Sequence, residues 1–281
     1  MLRKPAVAGS FYPNNQNDLE KIIEYSFNMG IGKLPKLNKS FNGNITGIMV
    51  PHAGYIYSGY VASYAYYQLV EGGFPDTFVI LCPNHTGFGY DISVFEEGIW
   101  ETPLGNIEVD NEFAKKFIKN SKYAKSDTNA HLREHSIEVE LPFLQYFSSD
   151  FKIVPICIGR QNLQTSIDIA NAIKLTSQEV SNSFSLISST DLSHFLSQSA
   201  TINKDNIVLN DISKMDYEKL IKDVYEYDIS MCGYGTVAAD IIYSLNLGVK
   251  SCEILSHKTS GDVSGDYSSV VGYASSVFKK E

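Results

Sequence analysis

The chain has 281 residues, 43% of them apolar and 20% charged, with 23 basic against 32 acidic side chains and a net charge of −9. That balance is ordinary for a soluble globular protein, and its sign excludes nucleic acid or an anionic membrane as partner, because nothing would offset phosphate repulsion. No run approaches the ~18 apolar residues that span a bilayer, and MLRKPAVAGSFYP lacks a signal-peptide core, so a cytoplasmic location is expected.

In chain order, Asn15 to Asn28 carries apolar residues at Leu19, Ile22, Ile23 and Phe27, the stripe of an amphipathic helix. A loop rich in Pro, Asn and Gly leads into the strand ITGIMV, followed by PHAGY and a Tyr- and Ala-rich helix over Ser58–Val70. TFVILC and YDISVF read as strands, and ETPLGNIEVD as a hairpin turning at Gly105-Asn106. Asn111–Asn120 is a short basic helix, and REHSIEVELPFLQYF a second one with a kink or break at Pro142. KIVPICIG is a strand, Gln164–Gln178 a helix, and SFSLISST a strand. A polar connection precedes a helix around Ile212–Val224 and another over Gly235–Leu247. SCEILSH and DYSSVVGYASSVF close the chain as strands, with turns predicted in SGDVSGDYSS. Alternating strands and helices predict an α/β fold: a central mixed, largely parallel sheet with helices on both faces. The absence of a linker or repeat predicts one domain over residues 1–281.

Open α/β sheets bind ligands beyond the carboxyl ends of their strands. His52 and His85 both sit there, each just after a proline and close to a glycine, and Asp191 and His194 follow the SFSLISST strand. A lone histidine in such a place is as readily a structural one, but two matched instances point to imidazoles presented to a cleft. Asp191 and His194 are three residues apart, so a helical turn would put them on one face, the carboxylate orienting the ring; the alternative is an N-cap and a packed histidine. Cys82, Cys157 and Cys252 lie in apolar runs and no CxxC pair occurs, so no disulfide framework is implied. Cys232, before a glycine-flanked helix start, is placed for a thiolate ligand or for a small buried hydrophobe. In HLREHSIEVE, His131 and His135 have zincin spacing without the glutamate after His131. His131 reads as part of a solvated or capping cluster, whereas His135 and Glu138 share a helix face that would line the cleft. His257 reads as structural.

The succession AVAGSFYP, PHAGYIYSG, PNHTG, ETPLG, EHSIEVELPFLQ, SSTDLSHF and CGYGT resembles the Memo family, and in particular the archaeal and bacterial members called AmmeMemoRadiSam system protein B. The resemblance runs nearly end to end. It implies a fold similar to the class III extradiol dioxygenases, with His52, His85 and Cys232 as metal ligands and Asp191 and His194 as cleft residues. Those dioxygenases complete their triad with a carboxylate, whereas this chain holds Cys232, whose thiolate is softer and oxidisable. The expectation is a metal-dependent redox enzyme, with iron first and copper or zinc as alternatives. His194 would be the acid–base, Asp191 its orienter, and Tyr55 or Tyr57 a hydrogen-bond donor to substrate. The alternatives are a non-catalytic protein that binds a peptide or phosphopeptide in the same cleft, and a zinc hydrolase. The resemblance also implies radical-SAM and AMMECR-type partner proteins, and a homo-oligomer is compatible with it.

Overall fold

The computed structural model describes residues 1–280. The first half contains β1 (Leu2–Arg3), α1 (Gln16–Met29), β2 (Ile45–Val50), α2 (Tyr55–Gly72), β3 (Thr77–Pro83), β4 (Ile92–Val94), β5 (Ile99–Thr102), β6 (Gly105–Val109), α3 (Asn111–Asn120) and β7 (Ala124–Ser126). It continues with α4 (Leu141–Gln145), β8 (Lys152–Ile158), α5 (Leu163–Ser177), β9 (Phe184–Ser189), β10 (His194–Leu196), α6 (Gln198–Ser213) and α7 (Tyr217–Glu226). α8 (Tyr234–Asn246), β11 (Cys252–Thr259), α9 (Gly261–Ser264) and β12 (Val270–Lys279) complete it.

The strands form one sheet in the order β1-β5-β6-β8-β3-β9-β2-β12-β10. Its centre, β8-β3-β9-β2, is parallel, and β12 continues it antiparallel to β2. These central strands are buried on both faces, which is why they read as unbroken apolar runs rather than alternating ones. Along β3 the side chains divide by parity. Phe78, Ile80 and Cys82 join Leu19, Ile23, Phe27 and the α2 residues Ala62, Ala65 and Leu69 on one side. Val79 and Leu81 join α3, α5 and α8 through Phe113, Ile169, Ile173 and Ala239 on the other. The α/β architecture with helices on both faces is therefore the one the sequence predicts.

Four local expectations are corrected. The hairpin turns at Pro103-Leu104, because Thr102 pairs with Gly105. The polar stretch before residue 212 is the sixteen-residue α6, followed by a separate α7. α6 buries Thr201, Asp205 and Asp211 along with Val208, Leu209 and Ile212, so its inward face carries too few apolar residues to show as a stripe. SGDVSG contains the short α9 as well as turns. Residues 133–147 are not one helix: the single-turn segments Asn129–His131 and Glu138–Glu140 precede α4, which holds Pro142 in its first turn, where a missing N–H costs nothing. The backbone departs from a helix here because Glu134 draws the N–H groups of His135 and Ser136 onto its own carboxylate. No helix among the described residues is long and apolar enough to cross a membrane.

Candidate metal centre

Three adjacent parallel strands, β3, β9 and β2, end within one residue of each other in register at Pro83, Ser189 and Val50: Val50 pairs with Ser189, and Leu81 with Ser188. Two residues beyond each end lie His85, Asp191 and His52. The matching offset is a consequence of the parallel register, and it sets all three at the same sheet edge. Cys232 comes from a fourth segment, one residue before Gly233, the N-cap of α8. A Cβ on Gly233 would stand 2.5 Å from the Ser189 carbonyl oxygen and 2.6 Å from Thr190 Cβ, so only glycine lets this segment close on the end of β9. Cys232 Sγ lies 3.2 Å from His52 Nε2.

Each candidate ligand is held by a partner of its own. His52 is buried, and its Nδ1 meets Ser189 Oγ at 2.7 Å. Asp191 accepts the His52 backbone N–H at 2.8 Å, fixing the loop that carries the ring. His85 Nδ1 donates to Glu134 Oε1 at 2.9 Å, and its backbone N–H donates to Glu134 Oε2 at 2.6 Å. Cys232 Sγ accepts the Asp191 N–H at 3.2 Å, a contact that favours a thiolate. With both Nδ1 atoms occupied, His52 and His85 have Nε2 left as a ligand atom. One ligand atom from each of His52, His85 and Cys232 lies within 4.8 Å of the others. Metal–sulfur bonds of about 2.3 Å and metal–nitrogen bonds of about 2.0–2.1 Å span such a gap, so a borderline or soft transition ion fits this donor set. His85, Glu134 and His135 are comparably close, but Glu134 is already saturated by five donors, counting Ser136 Oγ at 2.7 Å.

The electrostatics favour neutral imidazoles at His52 and His135 and one fixed anion at Glu134. Burial, then the neighbouring His135 and His85, hold the His52 ring well below its usual pKa. Burial likewise lowers His135. Burial opposes charge on Glu134, yet the His85 and Ser136 hydrogen bonds outweigh it and keep the carboxyl well below the usual carboxylate range. The same hydrogen bond raises His85 against its own desolvation. Burial, reinforced by the Asp191 charge, pushes the Cys232 thiol up, the burden a metal cation would relieve. Burial raises Asp191 to about 6.

The remaining predicted site residues divide. The His135 ring stacks on His85 at 4.8 Å and stands 5.4 Å from His52, so it belongs to the cluster. His194 is not hydrogen-bonded to Asp191: the segment between them is not helical, and His194 Nδ1 donates to the Ser230 carbonyl at 2.9 Å. That carbonyl can only accept, so it fixes the hydrogen of the neutral ring on Nδ1 and the lone pair on Nε2. The next residue, Phe195, takes a left-handed backbone (φ 59°) with its ring 76% exposed. Tyr57 is 43% exposed, whereas Tyr55 is buried and donates to the Val139 carbonyl at 2.6 Å. Glu138 does not line the cleft: it is sealed beneath the N-terminal segment, accepting from Arg3, from the Ala6 and Val7 N–H groups and from Tyr12. His131 is fully buried rather than solvated, packed on Phe95 and Trp100, and burial holds it down to about 4. His257 pairs with buried Asp205 at 2.8 Å. The sequence reading missed the groups that steer the ligands, Ser189 and Glu134, and also Phe11, whose ring lies 4.7 Å from that of His135. Of these, only Glu134, the first of the three glutamates of EHSIEVE, lay beside a singled-out histidine in the sequence.

The family model described as "Memo: Memo-like protein" matches residues 3–277. A "MEMO1 family protein" of Methanobrevibacter smithii is 52% identical over 99% of this chain and 100% of its own length. One from Methanothermobacter thermautotrophicus is 44% identical over 98% and 99%, and one from Thermotoga neapolitana is 44% identical over 99% of each. The chain belongs to the Memo-like protein family.

Proposed function

We propose that the protein is a metal-dependent, dioxygenase-like redox enzyme whose ion is held by His52, His85 and Cys232, with iron as the first choice and copper or zinc as alternatives. One observation carries this reading: two imidazoles and a thiol from three separate segments meet at the sheet edge, and each imidazole is steered by a partner on its far nitrogen. When bound, a redox-active ion supplies Lewis acidity and electron transfer to the substrate site. The chain supplies the rest. His194, its tautomer set by Ser230, holds or releases a proton at Nε2. Asp191 fixes the His52 loop, and the exposed Tyr57 hydroxyl serves as a hydrogen-bond donor to substrate. His135 and Phe11 wall the cleft. The His85 side chain, 35% exposed, marks the open side through which a ligand enters.

The test is metal content by mass spectrometry on untagged, anaerobically purified protein. We expect close to one iron or copper per chain, lost in His52→Ala, reduced in Cys232→Ser and retained in His194→Ala. Full occupancy in His52→Ala would overturn the ligand assignment. A wild type without metal and without uptake on reconstitution would instead make the cleft a pocket for an anionic ligand such as a phosphopeptide.

A further inference from the structure

Behind His52 lies a buried acid that the proposed chemistry does not use. Ser189 Oγ stands 2.7 Å from His52 Nδ1, 2.6 Å from the Ser136 carbonyl oxygen and 3.0 Å from Glu140 Oε1. Glu140 Oε2 in turn accepts from Tyr66 OH at 2.6 Å. A serine hydroxyl has one proton and two lone pairs, so three contacts fill it completely. The Ser136 carbonyl can only accept, and it makes the shortest contact, so the Ser189 proton points there. Both other neighbours must then donate. An anionic Glu140 would set two lone pairs against each other at 3.0 Å, or would take the Ser189 proton and do the same to Ser136 at 2.6 Å.

We infer that Glu140 is a positioning residue that acts as a neutral carboxylic acid: it donates to Ser189, Ser189 donates to Ser136, and the remaining Ser189 lone pair takes the Nδ1–H of His52, leaving Nε2 free toward Cys232. The surroundings agree. Glu140 is fully enclosed, and no Lys, Arg or His pairs with it among the described residues. The titratable groups facing it are Tyr55 and Tyr66 of α2 and Asp191 beyond β9, none of them a cation. Burial raises Glu140 to about 8, although the hydroxyl of Tyr66, donating to its other oxygen, favours the charged form.

The inference deepens the metal-site reading, on which its functional consequence rests, but two of its readouts need no metal. In infrared difference spectra of the metal-free protein at neutral pH, wild type minus Glu140→Gln, we expect the C=O band of a protonated carboxyl, shifted in D2O. Nitrogen NMR of labelled histidine, assigned with His52→Asn, should show His52 as the Nδ1–H tautomer in both wild type and Glu140→Gln. The third readout is Co²⁺ titration followed by thiolate-to-cobalt absorption. The Gln amide donates to Ser189 and accepts from Tyr66, so its affinity should match wild type. Glu140→Leu, which removes the Ser189 anchor, should bind about 10–100-fold more weakly. A missing carboxyl band, an Nε2–H tautomer, or a Gln variant as weak as the Leu variant would overturn the inference. A wild type that binds no cobalt overturns the metal reading instead, and the band and the tautomer then decide the role of Glu140.

Discussion

Glu134 is the residue on which His85 depends. Both of its oxygens face the His85 loop, one taking the ring and the other the backbone N–H, and its charge is stabilised by donors on every side. Glu134→Ala frees the His85 ring to rotate and removes the acceptor that sets its tautomer. We expect affinity for Co²⁺ to fall about 10–100-fold, with Glu134→Gln, which keeps one acceptor, falling less. Unchanged affinity in Glu134→Ala would show that His85 is not a ligand, or that its ring needs no support. At this scale the candidate ligands were legible in the sequence and their partners were not. His52 and His85 stand out through glycine and the end of an apolar run, and the resemblance to the Memo family adds Cys232. Glu134, Glu138 and Glu140 sit in a stretch whose spacing mimics a solvated helix, and periodicity does not distinguish a solvated acid from one saturated by buried donors.

The segment from residue 131 to residue 140 is an element without a regular ladder, so its shape must come from elsewhere. Arg3 supplies it. This fully buried guanidinium donates to the His131 carbonyl at 3.1 Å, to the Glu134 carbonyl at 2.6 Å and to Glu138, and lies over Trp100 with its carbon 4.3 Å from the ring centroid. Removing it strands a buried carboxylate and two carbonyls together, so Arg3→Leu should destabilise the fold by about 3–5 kcal/mol, read from urea unfolding midpoints. Glu138 also accepts the N–H groups of Ala6 and Val7, so an apolar replacement there would orphan them. Adding Glu138→Gln to Arg3→Leu removes the stranded charge and keeps an acceptor, and should recover part of the loss. A single Arg3→Leu variant within about 0.5 kcal/mol of wild type, as for an ordinary surface change, would refute this account. Nothing in the first residues of the chain signals the contact, because it spans 128 to 135 positions. The central strands and α1, α2, α3, α5 and α8 were legible because their buried faces are largely apolar, a stripe on α1 and α3 and long runs in β2, β3 and α8. α6 and the 131–140 segment were not, because their buried faces are polar.

Taken as a whole, the molecule pairs some buried acids with cations, as Glu138 with Arg3, and holds others by hydroxyls alone, and the second kind shapes its stability against pH. Asp240, on the face of α8 toward the sheet, shows the effect apart from the site. Its oxygens accept from Ser188 at 3.0 Å and Ser244 at 3.2 Å, and they lie so close to β2 that a Cβ on Gly47 would stand 2.4 Å away. Burial raises its pKa from 3.8 to about 7, against the pull of those two hydroxyls. The unfolded chain therefore releases this proton near pH 3.8, while the folded protein keeps it to about pH 7. Between those limits the folded state holds the extra proton. The stabilisation from Asp240 is complete below the lower limit and declines by about 1.4 kcal/mol per pH unit as the pH rises through the window. Asp240→Asn keeps the shape and removes the proton. We expect wild type to lose stability relative to Asp240→Asn between pH 4.5 and pH 7, and the difference to level off above it, in urea midpoints taken at each pH. Parallel curves for the two proteins would mean that Asp240 is charged in the fold, and that the serines and the end of β2 carry a buried anion after all.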